Sequence, residues 1–270
     1  MKSIDVQGIL VHGTAIETYD VQGTSVYVKR DDLCSTSPRL PSISKVRALV
    51  PILLDYKARG ITKVAAYSTR VSHTGWATAG LCQYLGLKCS YYYPVFVGQN
   101  NAPLLPVTLA KGMGANIVAM FVKDNTVSHY KEAEEIAEAA GETMLPYGLA
   151  TRLAVDAYMA EAGTIPAQYT NGTVVGCAGS GTCLIGVWMA MPKSTRVIGV
   201  QVGAEQCWTM APPCGKLAIK FVTSPYTYYN IGQVQPPFPS NRHYDAKAWE
   251  WLTENIKQLK QPVLFYNMGQ

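Results

Sequence analysis

Segments with the pattern of β-strands alternate with helical segments along most of this chain. Residues 62–67 form a short apolar run, residues 74–84 carry apolar side chains at helical spacing, and residues 88–93 form another strand-like run. The other predicted strands are 24–29, 116–122, 173–177, 196–202 and 262–266, and the other predicted helices are 45–58, 103–113, 129–140, 148–162, 182–191 and 245–259. This alternation predicts an α/β fold with mostly parallel sheets, in which ligands bind where strands lead into helices.

The length of 270 residues allows one large domain or two smaller ones. Hydrophobic residues make up 48% of the chain and charged residues only 15%, whereas globular proteins usually have about 25% charged residues. This composition excludes a disordered chain and favours a large buried surface, such as that of an oligomer. The net charge of +5 comes without a run of five basic residues. A basic tail of the nucleic-acid-binding kind is therefore excluded, while a phosphate-rich partner stays open.

The seven cysteines are odd in number and include no CxxC pair. This argues against a disulfide framework or a zinc cage and favours reduced thiols in the cytoplasm. The four histidines show no ligand spacing, so no metal site is predicted. The apolar run at the N-terminus is too short for a signal peptide, and none in the chain approaches the ~18 residues of a membrane span.

A glycine-rich loop, Gly176-Cys-Ala-Gly-Ser-Gly-Thr182, lies between a predicted strand and a predicted helix. Glycines let backbone N–H groups approach an anion closely, and the start of a helix adds partial positive charge. The loop therefore predicts a phosphate cradle, although a tight turn is the alternative. It lacks both the Gly-Lys-Ser/Thr of a Walker loop and the glycine spacing of a dinucleotide site.

Lys45 opens the predicted helix 45–58, where the helix dipole disfavours a positive charge. It is a candidate reactive amine, with an ordinary surface lysine as the alternative. Ser72 and His73 lie in a hydroxyl-rich loop, residues 68–75, that suits a carboxylate or serves as a plain helix cap. A phosphate cradle, a reactive amine and a carboxylate loop are together the parts of a pyridoxal phosphate site.

Six segments in chain order resemble motifs of one enzyme family: residues 28–33 (VKRDDL), 44–47 (SKVR), 71–88, 178–182 (AGSGT), 244–248 (YDAKA) and 263–265 (VLF). They resemble the KRDDL, NKxRKL, QSNHTRATA…LGLK, SGSGGT, YxGKA and VLFIHTGG motifs of the aminocyclopropane-carboxylate deaminase and D-cysteine desulfhydrase family. That family belongs to the tryptophan-synthase-β-like, or fold type II, pyridoxal phosphate enzymes. The resemblance covers most of the chain.

The resemblance implies three catalytic residues and a phosphate anchor. Lys45 would form the Schiff base with pyridoxal 5'-phosphate and then shuttle a proton. Ser72 would touch the substrate carboxylate, and Tyr244 would orient or protonate the substrate. The cofactor phosphate would be bound by Ala178, Gly179, Ser180, Gly181 and Thr182.

The chain departs from the family motifs at two cofactor contacts. His73 replaces the family's asparagine and would hydrogen-bond the phenolic oxygen of the cofactor or carry a proton. Met268 replaces the threonine that meets the pyridine nitrogen, and a thioether is a poor hydrogen-bond partner. Asn267 or a cysteine would then take that place, or the nitrogen would stay unprotonated.

The family implies two domains, each with a mostly parallel open sheet flanked by helices. The larger, cofactor-binding domain would contain residues 1–54 and 146–270, and the smaller α/β domain residues 55–145. A homodimer is also expected from the family.

The first expectation for activity is a lyase or deaminase acting at Cα of an amino acid. The region 202–244 is shorter than in such relatives and rich in Tyr and Pro, which indicates a rebuilt substrate pocket. The alternative is therefore a decarboxylase, or another conversion, of an amino-acid group carried on a modified nucleotide or DNA, as in viral hypermodification. A third reading is an inactive relative that binds a phosphorylated ligand.

Overall fold

The computed structural model describes residues 7–96, 104–122, 126–203 and 218–269. Its strands are β1 (Ile16–Val21), β2 (Thr24–Arg30), β3 (Lys63–Tyr67), β4 (Lys88–Phe96), β5 (Asn116–Val122), β6 (Thr143–Met144), β7 (Thr173–Ala178), β8 (Arg196–Gln201), β9 (Ile219–Thr223) and β10 (Val263–Asn267). Its helices are α1 (Lys45–Ala58), α2 (Thr74–Leu85), α3 (Leu105–Gly112), α4 (Thr126–Ala139), α5 (Arg152–Ala162), α6 (Thr182–Ala190) and α7 (Asp245–Asn255). The predicted α/β class is confirmed.

The chain divides into two compact units. The larger unit comprises Leu10–Thr36, Ser42–Ala48 and the described residues from Ala150 onward. The smaller unit comprises Ser37–Pro41 and the described residues of Met1–Ile9 and Leu49–Leu149. The predicted domains, residues 1–54 with 146–270 and residues 55–145, stay a prediction. A compact unit is defined by its contacts, whereas a domain is expected to fold independently. Cys207 and Cys214, in the shortened region 202–244, lie outside the described residues.

The larger unit contains a six-stranded sheet in the order β1-β2-β10-β7-β8-β9. Among the described strands of this sheet, only the β1–β2 pair is antiparallel. Every residue of β7 and β10 is buried, which explains why these strands read as continuous apolar runs. Their parallel order brings the carboxyl ends of β2, β7, β8 and β10 to one edge of the sheet, and the predicted phosphate loop follows β7 there.

Helices α5 and α6 pack tightly in the larger unit. A Cβ placed on Gly186 of α6 would lie 2.5 Å from Cβ of Tyr158 and 2.7 Å from the carbonyl oxygen of Val155. Glycine is therefore required for the close approach of the two helices. This contact anchors α6, whose first residue, Thr182, ends the phosphate loop.

The smaller unit contains a four-stranded parallel sheet in the order β5-β4-β3-β6. Strand β4 continues to Phe96, two residues past Pro94, where we expected it to stop. The pairing of β3 with β4 ends at Tyr67 opposite Tyr92. Pro94 therefore lies where β4 pairs with β5 alone, and its missing N–H is tolerated on that open side.

Helix α2 of the smaller unit begins directly after the Ser72–His73 loop and ends at Gly86, whose φ of 71° is left-handed. Over the ranges that the structure describes, no helix has the length and apolar character needed to cross a membrane.

Candidate active site

The first turn of α1, which carries Lys45, is held by the end of β10. The N–H of Ser44 donates to the carbonyl of Met268 at 2.6 Å, and Ile43 forms an antiparallel bridge with Gly269. Since β10 is a central strand, these bonds attach the start of α1 to the carboxyl edge of the sheet. Lys45 is thereby placed at the edge where ligands bind in parallel sheets.

The amine of Lys45 lies among polar groups of the larger unit. Its Nζ lies 5.4 Å from the ring centroid of Tyr244. Burial lowers the pKa of Lys45, and the nearby Cys177, Asp245 and Cys183 oppose that shift. A lysine with a lowered pKa has a larger neutral fraction and is a better nucleophile. The reactive amine expected from the sequence therefore has a suitable environment.

The loop Ala178–Thr182 joins the end of β7 to the start of α6. Gly181 has a φ of 80°, a left-handed conformation that glycine adopts without strain. The hydroxyls of Ser180 and Thr182 lie 3.3 Å apart. Backbone N–H groups of the first turn of α6 and these hydroxyls form a site suited to a phosphate.

Tyr244 connects the lysine to this loop. It immediately precedes α7, and its side chain is 9% exposed. A Cβ placed on Gly179 would lie 3.6 Å from Cε1 of Tyr244, so the ring contacts the loop. The structure therefore places Tyr244 beside both Lys45 and the loop 178–182, and the roles of these residues stay a prediction.

Asp245 is a buried carboxyl group that the sequence analysis did not identify. Its Oδ1 accepts the N–H of Met268 at 2.9 Å and the S–H of Cys177 at 3.5 Å. Burial raises the pKa of Asp245 from 3.8 to about 7, while the bonds to Met268 and Cys177 act in the opposite direction. The one indication in the sequence was that Asp245 directly follows Tyr244. That indication is weak, because acidic residues are common in the first turn of a helix, where they interact favourably with the helix dipole.

Asn267 is completely buried at the end of β10. Its Nδ2 donates to Oδ1 of Asp32 and to the carbonyl of Pro239, each at 2.9 Å. Its Oδ1 has no hydrogen-bond partner among the described residues. A carbonyl oxygen accepts hydrogen bonds, so contact of Asn267 with the cofactor stays a prediction.

Ser72 and His73 belong to the smaller unit, and their part in the site stays a prediction. The Ser72 hydroxyl lies 2.9 Å from that of Thr74 and accepts the Thr74 N–H at 3.3 Å. The His73 ring packs edge-on against Trp76 at 5.7 Å. These contacts of Ser72 are therefore local to the start of α2, whose N-cap residue is His73.

The motifs 28–33 and 44–47 meet in a buried charged network. Arg47 forms ion pairs with Asp31 at 2.6 Å and with Glu161 at 3.3 Å. Glu161 also pairs with Lys29 at 2.6 Å. All four side chains are no more than 1% exposed. The network therefore fixes α1 two residues after Lys45.

Comparison with known proteins connects this geometry to an enzyme class. The family described as pyridoxal-phosphate dependent enzyme matches residues 14–246. A glycyl-dTMP PLP-dependent decarboxylase of Pseudomonas phage M6 is 29% identical, and the alignment covers 97% of this chain and 100% of that relative.

Solved structures share the fold at lower identity. An ACC deaminase homologue has a TM-score of 0.78 at 20% identity, covering 97% of this chain and 90% of that one. O-ureido-L-serine synthase has a TM-score of 0.74 at 14% identity, covering 100% and 92%. A hydrogen sulfide-producing enzyme of Fusobacterium nucleatum has a TM-score of 0.69 at 13% identity, covering 98% and 95%. These likenesses establish the fold.

Proposed function

This chain belongs to the family of pyridoxal-phosphate-dependent enzymes, and we propose that it removes the carboxyl group from an amino acid carried on a nucleotide. The observation that carries the proposal is the phage M6 relative, whose name states a decarboxylase of glycyl-dTMP and which aligns over nearly the whole of both chains. The decarboxylation of a nucleotide-borne amino acid was the alternative in the sequence analysis, where the rebuilt region 202–244 motivated it.

The residues of the larger unit fit pyridoxal phosphate. Gly181 and the start of α6 offer a cradle for the phosphate, and Lys45 offers an amine of lowered pKa. Asp245 offers a buried carboxyl group that forms no ion pair within the described residues. Such a group is available to pair with a positively charged atom of a ligand. Asp245 is therefore our candidate for the partner of the ring nitrogen, in place of Asn267 or a cysteine.

Each residue then has a role in the reaction. The bound cofactor supplies an electron sink for negative charge at Cα. Lys45 would hold the cofactor, and once the substrate amine had taken its place the freed amine would carry a proton to Cα. The bond between Cα and the carboxyl carbon breaks, carbon dioxide leaves, and that proton takes its place. Tyr244, whose ring centroid lies 5.4 Å from Nζ of Lys45, orients the substrate beside that amine.

Deamination or elimination at Cα is the second candidate, favoured by the resemblance of residues 244–248 to the YxGKA motif. It requires the same amine and the same cofactor, so the site geometry supports both reactions. They differ in the products, because decarboxylation releases carbon dioxide and leaves the amine on the product. Deamination releases ammonia and leaves a keto acid.

One experiment separates these candidates. The holoenzyme is reduced with borohydride for peptide mass mapping, and unreduced holoenzyme is given thymidine monophosphate bearing a glycyl group labelled with ¹³C at its carboxyl. We expect a cofactor adduct on Lys45 and labelled carbon dioxide without ammonia. Ammonia with a keto acid would establish deamination instead. An adduct on Lys45 with neither product from this nucleotide or from free amino acids would identify an inactive relative that binds a phosphorylated ligand.

The carrier and the assembly are part of the proposal. A net charge of +5 favours the approach of a nucleotide or DNA through its phosphates. Binding to DNA would weaken as salt rises, since released counterions drive it. A homodimer would be detected by sedimentation of the holoenzyme.

A further inference from the structure

Lys247 is a buried lysine in the first turn of α7, three residues after Tyr244. Its Nζ donates to the carbonyls of Thr227 at 2.9 Å, Val202 at 3.0 Å and Tyr228 at 3.4 Å. An ammonium group has three donors, so three carbonyls satisfy it. Lys247 thereby joins the segment that follows β8 to the Tyr-rich segment 224–230, to which the proposed function assigns no role.

The ring of Tyr228 is seated directly on a glycine. A Cβ placed on Gly203 would lie 1.9 Å from Cδ2 of Tyr228, so only glycine leaves room for the ring there. Gly203 follows Val202, whose carbonyl binds Lys247. The ammonium of Lys247 therefore holds both sides of the contact between Tyr228 and Gly203.

Tyr228 in turn holds Tyr244. The Tyr244 hydroxyl donates to the Tyr228 hydroxyl at 2.9 Å, and the two rings meet edge to face at 89° with centroids 5.5 Å apart. A Cβ on Gly179 would lie 3.5 Å from the Tyr228 oxygen. Tyr228 thus contacts both the phosphate loop and the tyrosine that faces Lys45.

We propose that Tyr228 is a positioning residue of the active site, held by Lys247, and that its hydroxyl sets the direction of the Tyr244 O–H bond. Because the Tyr244 hydroxyl gives its proton to Tyr228, its oxygen acts toward the substrate as a hydrogen-bond acceptor. Tyr244 then accepts a hydrogen bond from the substrate amine. This inference rests on the proposed function, which it extends to Tyr228, a residue outside the family motifs.

Removal of single hydroxyl groups tests the coupling. In Tyr228→Phe holoenzyme we expect kcat to fall about 10-fold, as for loss of one hydrogen bond, with KM changed less than 2-fold. Adding Tyr228→Phe to Tyr244→Phe should cause no further loss, because the two hydroxyls act together. The proposal would be overturned if the fall in kcat of the double variant equalled the product of the falls in the two single variants. An unchanged kcat in Tyr228→Phe would overturn it as well.

Tyr226→Phe is the matched control. Tyr226 lies in the same segment, but its hydroxyl donates to Glu250 at 2.6 Å. We expect unchanged kcat in this variant. A loss equal to that of Tyr228→Phe would mean that the segment is generally sensitive to lost hydroxyls and would overturn the specific role of Tyr228.

A spectroscopic readout separates this proposal from the proposed function. In holoenzyme with ¹³Cζ-labelled tyrosine, the Tyr244 signal, identified by its loss in Tyr244→Phe, should shift in Tyr228→Phe and stay in place in Tyr226→Phe. Gly203→Ala, which displaces the Tyr228 ring and keeps every hydroxyl, should shift it as well, as should Lys247→Met. A Tyr244 signal unmoved by Tyr228→Phe and Gly203→Ala would overturn the proposal. A parent enzyme without decarboxylase activity would overturn the proposed function alone.

Discussion

The guanidinium of Arg47 binds the carboxylate of Asp31 at 2.6 Å, and both side chains are almost completely buried. Arg47 lies two residues after Lys45 in α1, and Asp31 follows β2. This ion pair therefore connects the helix that carries the reactive amine to the sheet that supports it.

Replacing Arg47 with Met should destabilise the protein by about 3–5 kcal/mol, because it leaves Asp31 and Glu161 buried without their shared cation. Urea unfolding measures the loss. Arg59→Met is the control, since Arg59 directly follows α1 and pairs with exposed Asp55 at 3.3 Å, and an exposed pair contributes about 0–1 kcal/mol. Equal losses in the two variants would contradict a structural role for the buried network.

Lys45→Ala should abolish the borohydride-trapped cofactor adduct and lower kcat by roughly 100- to 10,000-fold, the range for loss of a proton-transferring group. Absorption spectra and peptide mass mapping of the protein with pyridoxal phosphate give the first result, and product release gives the second. Lys220→Ala, at an exposed residue of β9, serves as the control. Retention of the adduct in Lys45→Ala would place the reactive amine elsewhere.

Asp245→Asn should stabilise the protein more at pH 8 than at pH 4. The pKa of Asp245 rises from 3.8 to about 7 on folding, mainly through burial. Between these values the folded state holds a proton that the unfolded state has lost, so stability falls as the pH rises through this window. The full shift corresponds to something on the order of 4 kcal/mol.

Asparagine removes that ionisation and keeps an oxygen for the Met268 N–H. Chemical denaturation of the cofactor-free protein at both pH values, with the parent in the same buffers, measures the difference. An equal effect of Asp245→Asn at pH 4 and pH 8 would show that Asp245 is not a buried titrating group.

Gly181→Ala should weaken pyridoxal phosphate binding roughly 10-fold, because a side chain at a φ of 80° is strained by about 1 kcal/mol or more. Absorbance titration with the cofactor measures the affinity. Gly112→Ala is the control, since a Cβ at this position in α3 meets open space. Unchanged affinity in Gly181→Ala would argue against the loop as the phosphate anchor.

The sequence predicts the larger elements of this fold well and its edges poorly. Strand β5 and helix α1 match their predicted bounds, since β5 is a continuous apolar run and α1 has apolar residues at helical spacing. Strand β1 was missed because it is a partly exposed edge strand whose apolar residues are interrupted by Glu17, Thr18 and Asp20. Strand β6 has only two residues, too few for a periodic signal.

The site follows the same distinction. Lys45 and the loop 178–182 could be found because they occupy fixed places between a strand and a helix. Tyr228 and Lys247 could not, because their roles depend on contacts with Tyr244 and Val202 that arise only in the folded chain. Asp245 is an intermediate case. The sequence identifies the segment 244–248 that contains it, but does not predict that its side chain is buried.

The place of β10 between β2 and β7 has a consequence for synthesis on the ribosome. Residues 16–30 emerge early, but β2 reaches the rest of its sheet only through residues 263–267. Until those residues have left the exit tunnel, the edges of β2 and β7 that β10 will cover are unpaired, and such edges are prone to associate with other chains. A chaperone that covers such edges during translation would therefore raise the yield of this protein.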